Sequence, residues 1–281
     1  LFRSVQKGQI TEVNLSQKPL VIFQTMEYLR SFLAGRLGWA SINSLLIISG
    51  AFGVFRKKRV VEIGGYMTSR GILKKDTVGE DMELVVRLVR HMREKRLPYR
   101  VDYAYNANCY TEVPEEWRIF SKQRARWHRG LLEILLFHKA MLFHPRYGRI
   151  GLLSFPYFAI FEVIGPFFEL GGYAGIIISA LLGVLSLKLG LLLFIACVLY
   201  GIFISVSSLI ISQNETLSFS MKDTWGLIGA SFMENLGYRQ IVSIQRVTSY
   251  VAYIFRNAGW GKAPRKGLDR KSTRLNSSHR T

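Results

Sequence analysis

The stretch "TVGEDMELVVRLVRHMREKRLPYRVDYAY", Thr77 to Tyr105, changes period partway along, and that change decides the expected fold class. From Asp81 the apolar positions Leu84, Val85, Leu88, Val89 and Met92 recur at helical spacing, which predicts a helix with one buried face. Pro98 ends it. "YRVDYAY" then alternates polar and apolar residues like a short strand. Upstream, "LLIISGAFGVF" (Leu45–Phe55) is a β-rich apolar run broken by Gly50 and Gly53, and "VVEIGGY" closes on a Gly-Gly turn. Downstream, Pro114 marks a helix start, and Glu115 and Glu116 suit the positive end of its dipole. That helix continues through "WRIFSKQRARWHRGLLEILLF". Helices alternating with short strands predict an α/β domain over residues 1–149.

Beyond this region the composition shifts. The 281 residues carry a formal charge of +19, and a basic chain of this kind meets nucleic acid, anionic lipid or phosphorylated substrates. The charge is uneven: residues 150–220 hold a single cation, Lys188, between two basic flanks. That asymmetry favours a membrane partner over nucleic acid, with basic segments on the cytoplasmic face. Gly172–Ser212 contains no Asp or Glu. As one helix its roughly 40 residues would span ~60 Å, twice a hydrocarbon core of ~30 Å, so two helices with a turn near Ser186–Gly190 are expected. Before it, Gly151–Leu170 is aromatic and apolar but holds Pro156, Pro166, Glu162 and Glu169, which fits either a kinked span or an interfacial helix. Both Glu residues are expected near the interface. Thr224–Val242 reads as a weaker span with Glu234 inside it. Four crossings return the basic C-terminal part to the cytoplasm, and so do two crossings plus interfacial helices. The transmembrane and interfacial region is set at 150–245, followed by a basic cytoplasmic tail at 246–268.

Two cysteines, Cys109 and Cys197, give neither a disulfide framework nor metal-ligand spacing. The first residues lack a starting Met and a signal-peptide pattern, so the chain is expected to be truncated there. "DRKSTRLNSSHRT" fits no apolar period, and 269–281 is expected to be a non-native tail resembling translated vector sequence. The Asn-x-Thr sequon at Asn214 is too common a pattern to carry weight.

Three motifs bear on chemistry. In "QRARW", Gln123, Arg126 and Trp127 share one helix face. Arg suits bidentate contact with phosphate oxygens, and Trp offers a flat platform for a sugar ring. The same residues also suit a basic helix on a membrane surface with Trp127 as anchor. "ISGAFGVFRK" sets small residues before Arg56 and Lys57, which lets a ligand approach the backbone or simply bends a buried strand. "GEDMEL" gathers Glu80, Asp81 and Glu83. Acids in a first helical turn are favoured by the dipole, whereas one exposed in a cleft can take a proton from an attacking hydroxyl.

In order and spacing these motifs resemble the acceptor-side half of membrane-integrated family 2 glycosyltransferases, a group that includes cellulose, hyaluronan and poly-N-acetylglucosamine synthases. "SGAFGVFR" resembles the acceptor-side strand and loop, "GED" stands where the family has Thr-Glu-Asp, and "QRARW" matches Gln-x-x-Arg-Trp. "YTEVPEEW" is similar to the lead-in to that helix, and "ENLGYRQ" and "WGKAPRKG" resemble the tail of bacterial members. The resemblance implies a GT-A fold, with residues 1–149 as the C-terminal part of a cytoplasmic catalytic domain ahead of an α-helical transmembrane region. It implies an inverting transfer from a nucleotide-sugar donor, a UDP-sugar in particular, to a growing polysaccharide, in a multi-pass protein of the bacterial inner membrane. Asp81 would be the general base and Glu80 its pocket-shaping neighbour, leaving Glu83 an ordinary first-turn acid. Gln123 and Arg126 would steady the diphosphate, and Trp127 would stack on the acceptor. Ser49, Gly50, Ala51, Phe52 and Arg56 would line the substrate loop. Mg2+ or Mn2+ would offset the leaving-group charge.

Two departures stand out. Gly79 replaces the family's Thr, a small change beside the two acids. The Asp-x-Asp that holds metal and diphosphate has no counterpart, and "VDY" (Val101–Tyr103) is no substitute, so no metal ligands are assigned and the chain alone is expected to be inactive. Single-sugar transfer to a membrane lipid, or a non-catalytic membrane transport or scaffold subunit, are the competing readings.

Overall fold

The computed structural model describes residues 2–6, 9–48, 50, 52–67, 77–104, 107, 113–215 and 219–255. Ser49, Ala51 and Cys109 lie outside the described residues, as do the side chain of Asn214 and everything after Phe255.

Two short strands, β1 (Phe2–Gln6) and β2 (Gln9–Asn14), form an antiparallel hairpin. Helix α1 (Pro19–Tyr28) runs through a π-helical stretch, Leu29–Gly35, into α2 (Arg36–Ser41). The short α3 (Lys57–Glu62) precedes α4 (Glu80–Glu94) and α5 (Trp117–Phe137). A continuous helical rod then passes through α6 (Phe155–Tyr157) into α7 (Gly165–Leu181), and α8 (Leu187–Glu215), α9 (Met221–Met233) and α10 (Arg239–Phe255) follow.

The α/β expectation, and with it the GT-A half-domain, is overturned. Among the described residues the chain is overwhelmingly helical, and its only sheet is the two-stranded β1–β2 hairpin. Leu45 and Leu46 are buried as expected of a core strand, but the 44–48 segment is in no strand ladder among the described residues. The described part of "YRVDYAY", residues 99–104, is not a strand either. Asn43, at φ 52°, takes over the role of a partner strand: its amide donates to the Tyr99 carbonyl at 3.1 Å and accepts from the Val101 N–H at 3.0 Å. One side chain thus satisfies backbone groups that a ladder would otherwise use.

The helices follow their patterns. In α4, Leu84, Val85, Val89 and Met92 are buried, and Met82, Val85, Val86 and Val89 pack with Ile134 and Leu135 of α5 in the main core. Helix α4 ends ahead of Pro98 in a Schellman turn, with the Leu97 N–H donating to the Met92 carbonyl at 2.8 Å and Arg96 N–H to Arg93 at 3.1 Å.

Two helices are long and apolar enough to cross a membrane, Ile150–Leu181 (32 residues) and Leu187–Ser212 (26 residues). The turn between them comes at Gly183, φ 69°, slightly before the expected Ser186–Gly190. Glu162 and Glu169 face α10: Arg246 pairs with Glu162 at 2.9 Å, while Ser243 and Tyr173 donate to Glu169 at 2.5 and 2.7 Å. Glu234 is fully buried between Arg30 and Arg239, with Ser205 of α8 donating to it at 3.1 Å. Partnered acids of this kind are affordable in an apolar setting. Helices α9 and α10, with 13 and 17 residues, are shorter than either apolar rod.

Candidate functional site

Asp81 sits in the first turn of α4, half-buried, while its neighbour Glu80 is exposed. One carboxylate oxygen, Oδ1, accepts the Met82 N–H at 2.8 Å. The other, Oδ2, faces the loop at Gly50, where a Cβ would lie only 3.1 Å from it. Glycine therefore lets the loop backbone close on the carboxylate, so the "GAFG" and "GED" motifs meet. Phe52 and Arg56, in the same loop, are exposed to solvent.

The mount beneath Asp81 is a backbone contact between two glycines. A Cβ on Gly130 of α5 would lie 3.0 Å from both N and Cα of Gly79, and a Cβ on Gly79 would lie 3.2 Å from the Gly130 Cα. Gly79 is thus more than a small change from Thr, because a side chain there would press on Ile134 and the Gly130 backbone. Buried Glu133 reinforces the contact. Its Oε2 accepts from the Thr77 hydroxyl at 2.9 Å and the Val78 N–H at 3.4 Å, and its Oε1 pairs with Arg129 at 2.5 Å. We predict that Gly130→Val destabilises the fold by about 1–3 kcal/mol through overpacking. Urea midpoints in mild detergent check this, and an unchanged midpoint would refute the close approach.

Glu83 is not an ordinary first-turn acid. It is fully buried and pairs with Arg87 at 2.7 Å and His138 at 3.5 Å. Burial pushes its carboxyl up, but the nearby His138 and the hydrogen bonds from Arg87 outweigh that and hold it below the usual range. Arg87 also donates to the carbonyls of Ile63 and Gly65, tying the turn after α3 to α4.

On α5, Gln123, Arg126 and Trp127 share a face that continues into Gly130, the residue packed on Gly79. Their helix is therefore fixed directly against the start of α4. The Gln123 Oε1 is buried with no partner among the described residues, Arg126 is half-buried, and Trp127 is 41% exposed.

Sequence reasoning missed Arg124, the x position of the same motif. It is 3% exposed and grips Glu27 of α1 with two hydrogen bonds of 2.5 and 2.8 Å. Its guanidinium lies 4.7 Å from the Trp127 ring centre and 4.8 Å from that of Phe120. The aromatic spacing at i−4 and i+3 around an Arg was the available signal. Tyr238 donates to Glu27 at 3.0 Å, and Tyr28 stands 6.3 Å from Trp127.

Arg36 was missed as well. It is buried, lies 4.0 Å over the Phe32 ring, and has Tyr103 and Asp81 within electrostatic reach. Burial lowers its pKa, and those two groups oppose the shift. The Asp81 carboxylate thus lies within electrostatic reach of this α2 cation.

His128 lies behind the face, edge-on to Tyr250 at 5.7 Å. Burial, helped by Arg246 and Arg124, lowers its pKa to about 3. The folded protein thus keeps it neutral while the unfolded chain takes up a proton below its ordinary value near ~6.5. Stability is predicted to fall as pH drops from that value towards 3. In unfolding midpoints at pH 7 and pH 5, His128→Gln should lose less than wild type; an equal loss would exclude His128 as a source.

The family described as "Glycosyl transferase family group 2" matches residues 10–206. Poly-beta-1,6-N-acetyl-D-glucosamine synthase of Staphylococcus aureus (strain COL) is 33% identical over 113 residues, covering 40% of this chain and 24% of that synthase. Chitin synthase 6 of Pyricularia oryzae is 23% identical over 143 residues, covering 46% of this chain and 7% of its own length. The chain therefore spans about a quarter of the bacterial relative's length. No solved structure matches it.

Proposed function

Because the chain belongs to glycosyl transferase family group 2, we propose that its full-length protein transfers a sugar, with inversion, from a nucleotide-sugar donor to a growing polysaccharide. Asp81 takes the proton of the acceptor hydroxyl as that oxygen attacks the anomeric carbon. The bond from that carbon to the diphosphate breaks, and the nucleoside diphosphate leaves with the electron pair. Gln123 and Arg126 steady the diphosphate, Trp127 stacks on the acceptor sugar, and Glu80 and the loop at Ser49–Phe52 and Arg56 shape the pocket. The observation that carries this reading is the Asp81 carboxylate held against Gly50, on a helix fixed to the Gln123–Trp127 face by the Gly79–Gly130 contact.

Mg2+ or Mn2+ would offset the charge of the departing diphosphate. Among the described residues no three His, Cys, Asp or Glu side chains gather as ligands.

The protein sits in the bacterial inner membrane in this proposal. The two apolar rods cross it, the shorter α9 and α10 lie alongside, and the basic site-bearing part stays cytoplasmic. UDP-N-acetylglucosamine is the first donor to test, since the bacterial relative's name specifies that sugar. Membranes carrying the full-length protein should incorporate label from the radioactive donor into polymer. Label that extracts into organic solvent instead would replace polymer synthesis by transfer to a lipid. No incorporation from any nucleotide sugar would sink the enzyme reading in favour of a transport or scaffold subunit.

A further inference from the structure

We propose that a cleft between the end of α4 and the turn before the first apolar rod binds a phosphate-bearing anion, supplied by a lipid headgroup or a soluble phosphate ester. The cleft encloses 810 Å³, and its lining includes three arginines, Arg93, Arg96 and Arg146, with one acid, Glu94. That acid is occupied elsewhere: its Oε1 accepts from Arg90 at 2.9 Å and from the Tyr147 hydroxyl at 3.0 Å. Among the described residues none of the three arginines is ion-paired to a carboxylate. Several arginines lining one cleft, with their planar guanidiniums not paired to carboxylates, suit phosphate oxygens.

Two features mark the cleft as built rather than incidental. Arg93 crosses the bare backbone of Gly148, where a Cβ would lie 2.5 Å from its Nη2, and it donates to the Arg146 carbonyl at 3.3 Å. Gly148, at φ 60°, thereby admits the arginine as well as turning the chain. Arg96 holds the left-handed position of the α4 Schellman turn at φ 56°, a place glycine fills most easily. The chain keeps a guanidinium there against backbone preference.

Arg146 lies four residues before Ile150, where the first apolar rod begins, so a headgroup at the membrane surface lies within reach. The lipid source rests on the membrane reading above, whereas the soluble source does not. Diffuse attraction between basic flanks and anionic lipid would treat exposed Lys95 like its neighbours, and a shaped cleft would not.

The full chain, purified in dodecylmaltoside, is titrated by calorimetry with short-chain phosphatidylglycerol at constant ionic strength, with and without inorganic phosphate. The Arg93→Gln/Arg146→Gln double variant should weaken binding by about tenfold or more. Lys95→Gln should leave it essentially unchanged. Arg96→Gly should weaken binding while raising the unfolding midpoint, a combination that a purely structural arginine cannot give and that keeps the test valid if the double variant misfolds. Binding of phosphate itself, or competition by it, assigns a soluble ester; lipid binding without competition assigns the headgroup. No binding of either probe by wild type, equal binding by wild type and Arg96→Gly, or an equal loss in Lys95→Gln overturns the proposal. Sugar transfer is not read, so the outcome is independent of the catalytic assignment.

Discussion

Asp81→Asn in the full-length protein is expected to lower the initial rate of sugar transfer by about 10²–10⁴-fold, the range a positioned general base supplies. The substitution isolates proton transfer. Asn has nearly the same shape, and its side-chain oxygen can still accept the Met82 N–H that Asp81 accepts at 2.8 Å. Gly50, Gly79 and Gly130 are untouched, so the loop and helix contacts that frame the carboxylate persist. What disappears is the ability to take a proton, together with a negative charge within electrostatic reach of Arg36. Initial rates from labelled nucleotide sugar, at matched protein levels and unfolding midpoints, give the comparison. A variant that transfers sugar at the wild-type rate removes Asp81 as the base. Glu80→Gln serves as the internal contrast, because Glu80 is exposed in the same helical turn and should cost much less.

The two helices that carry this chemistry were legible because their information is local. The apolar spacing that defines α4 survives in the buried residues Leu84, Val85, Val89 and Met92, and Gln123, Arg126 and Trp127 share a face by helical geometry alone. The strands were not legible, since a strand needs a partner. Leu45 and Leu46 are as buried as any strand core, yet the backbone at Tyr99 and Val101 is satisfied by one side chain, Asn43. Alternation reports which side chains face inward, not where the backbone hydrogen bonds go. The charged residues failed for a related reason. Glu83 and Arg124 carry ordinary helical charge patterns, and their burial is set by His138 and Glu27, which are distant in sequence. Gly79 was misread in the same way: its role depends on Gly130, and nothing near it in the chain announces that contact.

Arg124→Ala should then be the most damaging single change away from the proposed base, at about 3–5 kcal/mol, because it strands a carboxylate that was desolvated to meet it. Among the described residues Glu27 would keep the 3.0 Å hydrogen bond from Tyr238 as its side-chain hydrogen bond, and the guanidinium between Phe120 and Trp127 would be lost with its packing. Arg124→Lys should rescue little of this. A lysine restores the charge, but it cannot make the two-pronged contact to Glu27 or lie flat against two rings. Chemical denaturation of each variant in the same detergent measures the loss, and a shift in Arg124→Ala within about 0.5 kcal/mol of wild type would mean the pair is solvated after all. The decisive comparison is Arg124→Met with Glu27→Gln. Removing both charges while keeping volume should recover most of the stability, since the penalty comes from the unpaired carboxylate more than from the lost attraction. Acceptor use should separate from stability in that double variant: the fold returns, but Trp127 has lost the cation that packs beside its ring, so acceptor KM should stay raised. If KM recovers along with the fold, Arg124 serves only the packing of α5 on α1, and Trp127 holds its position without it.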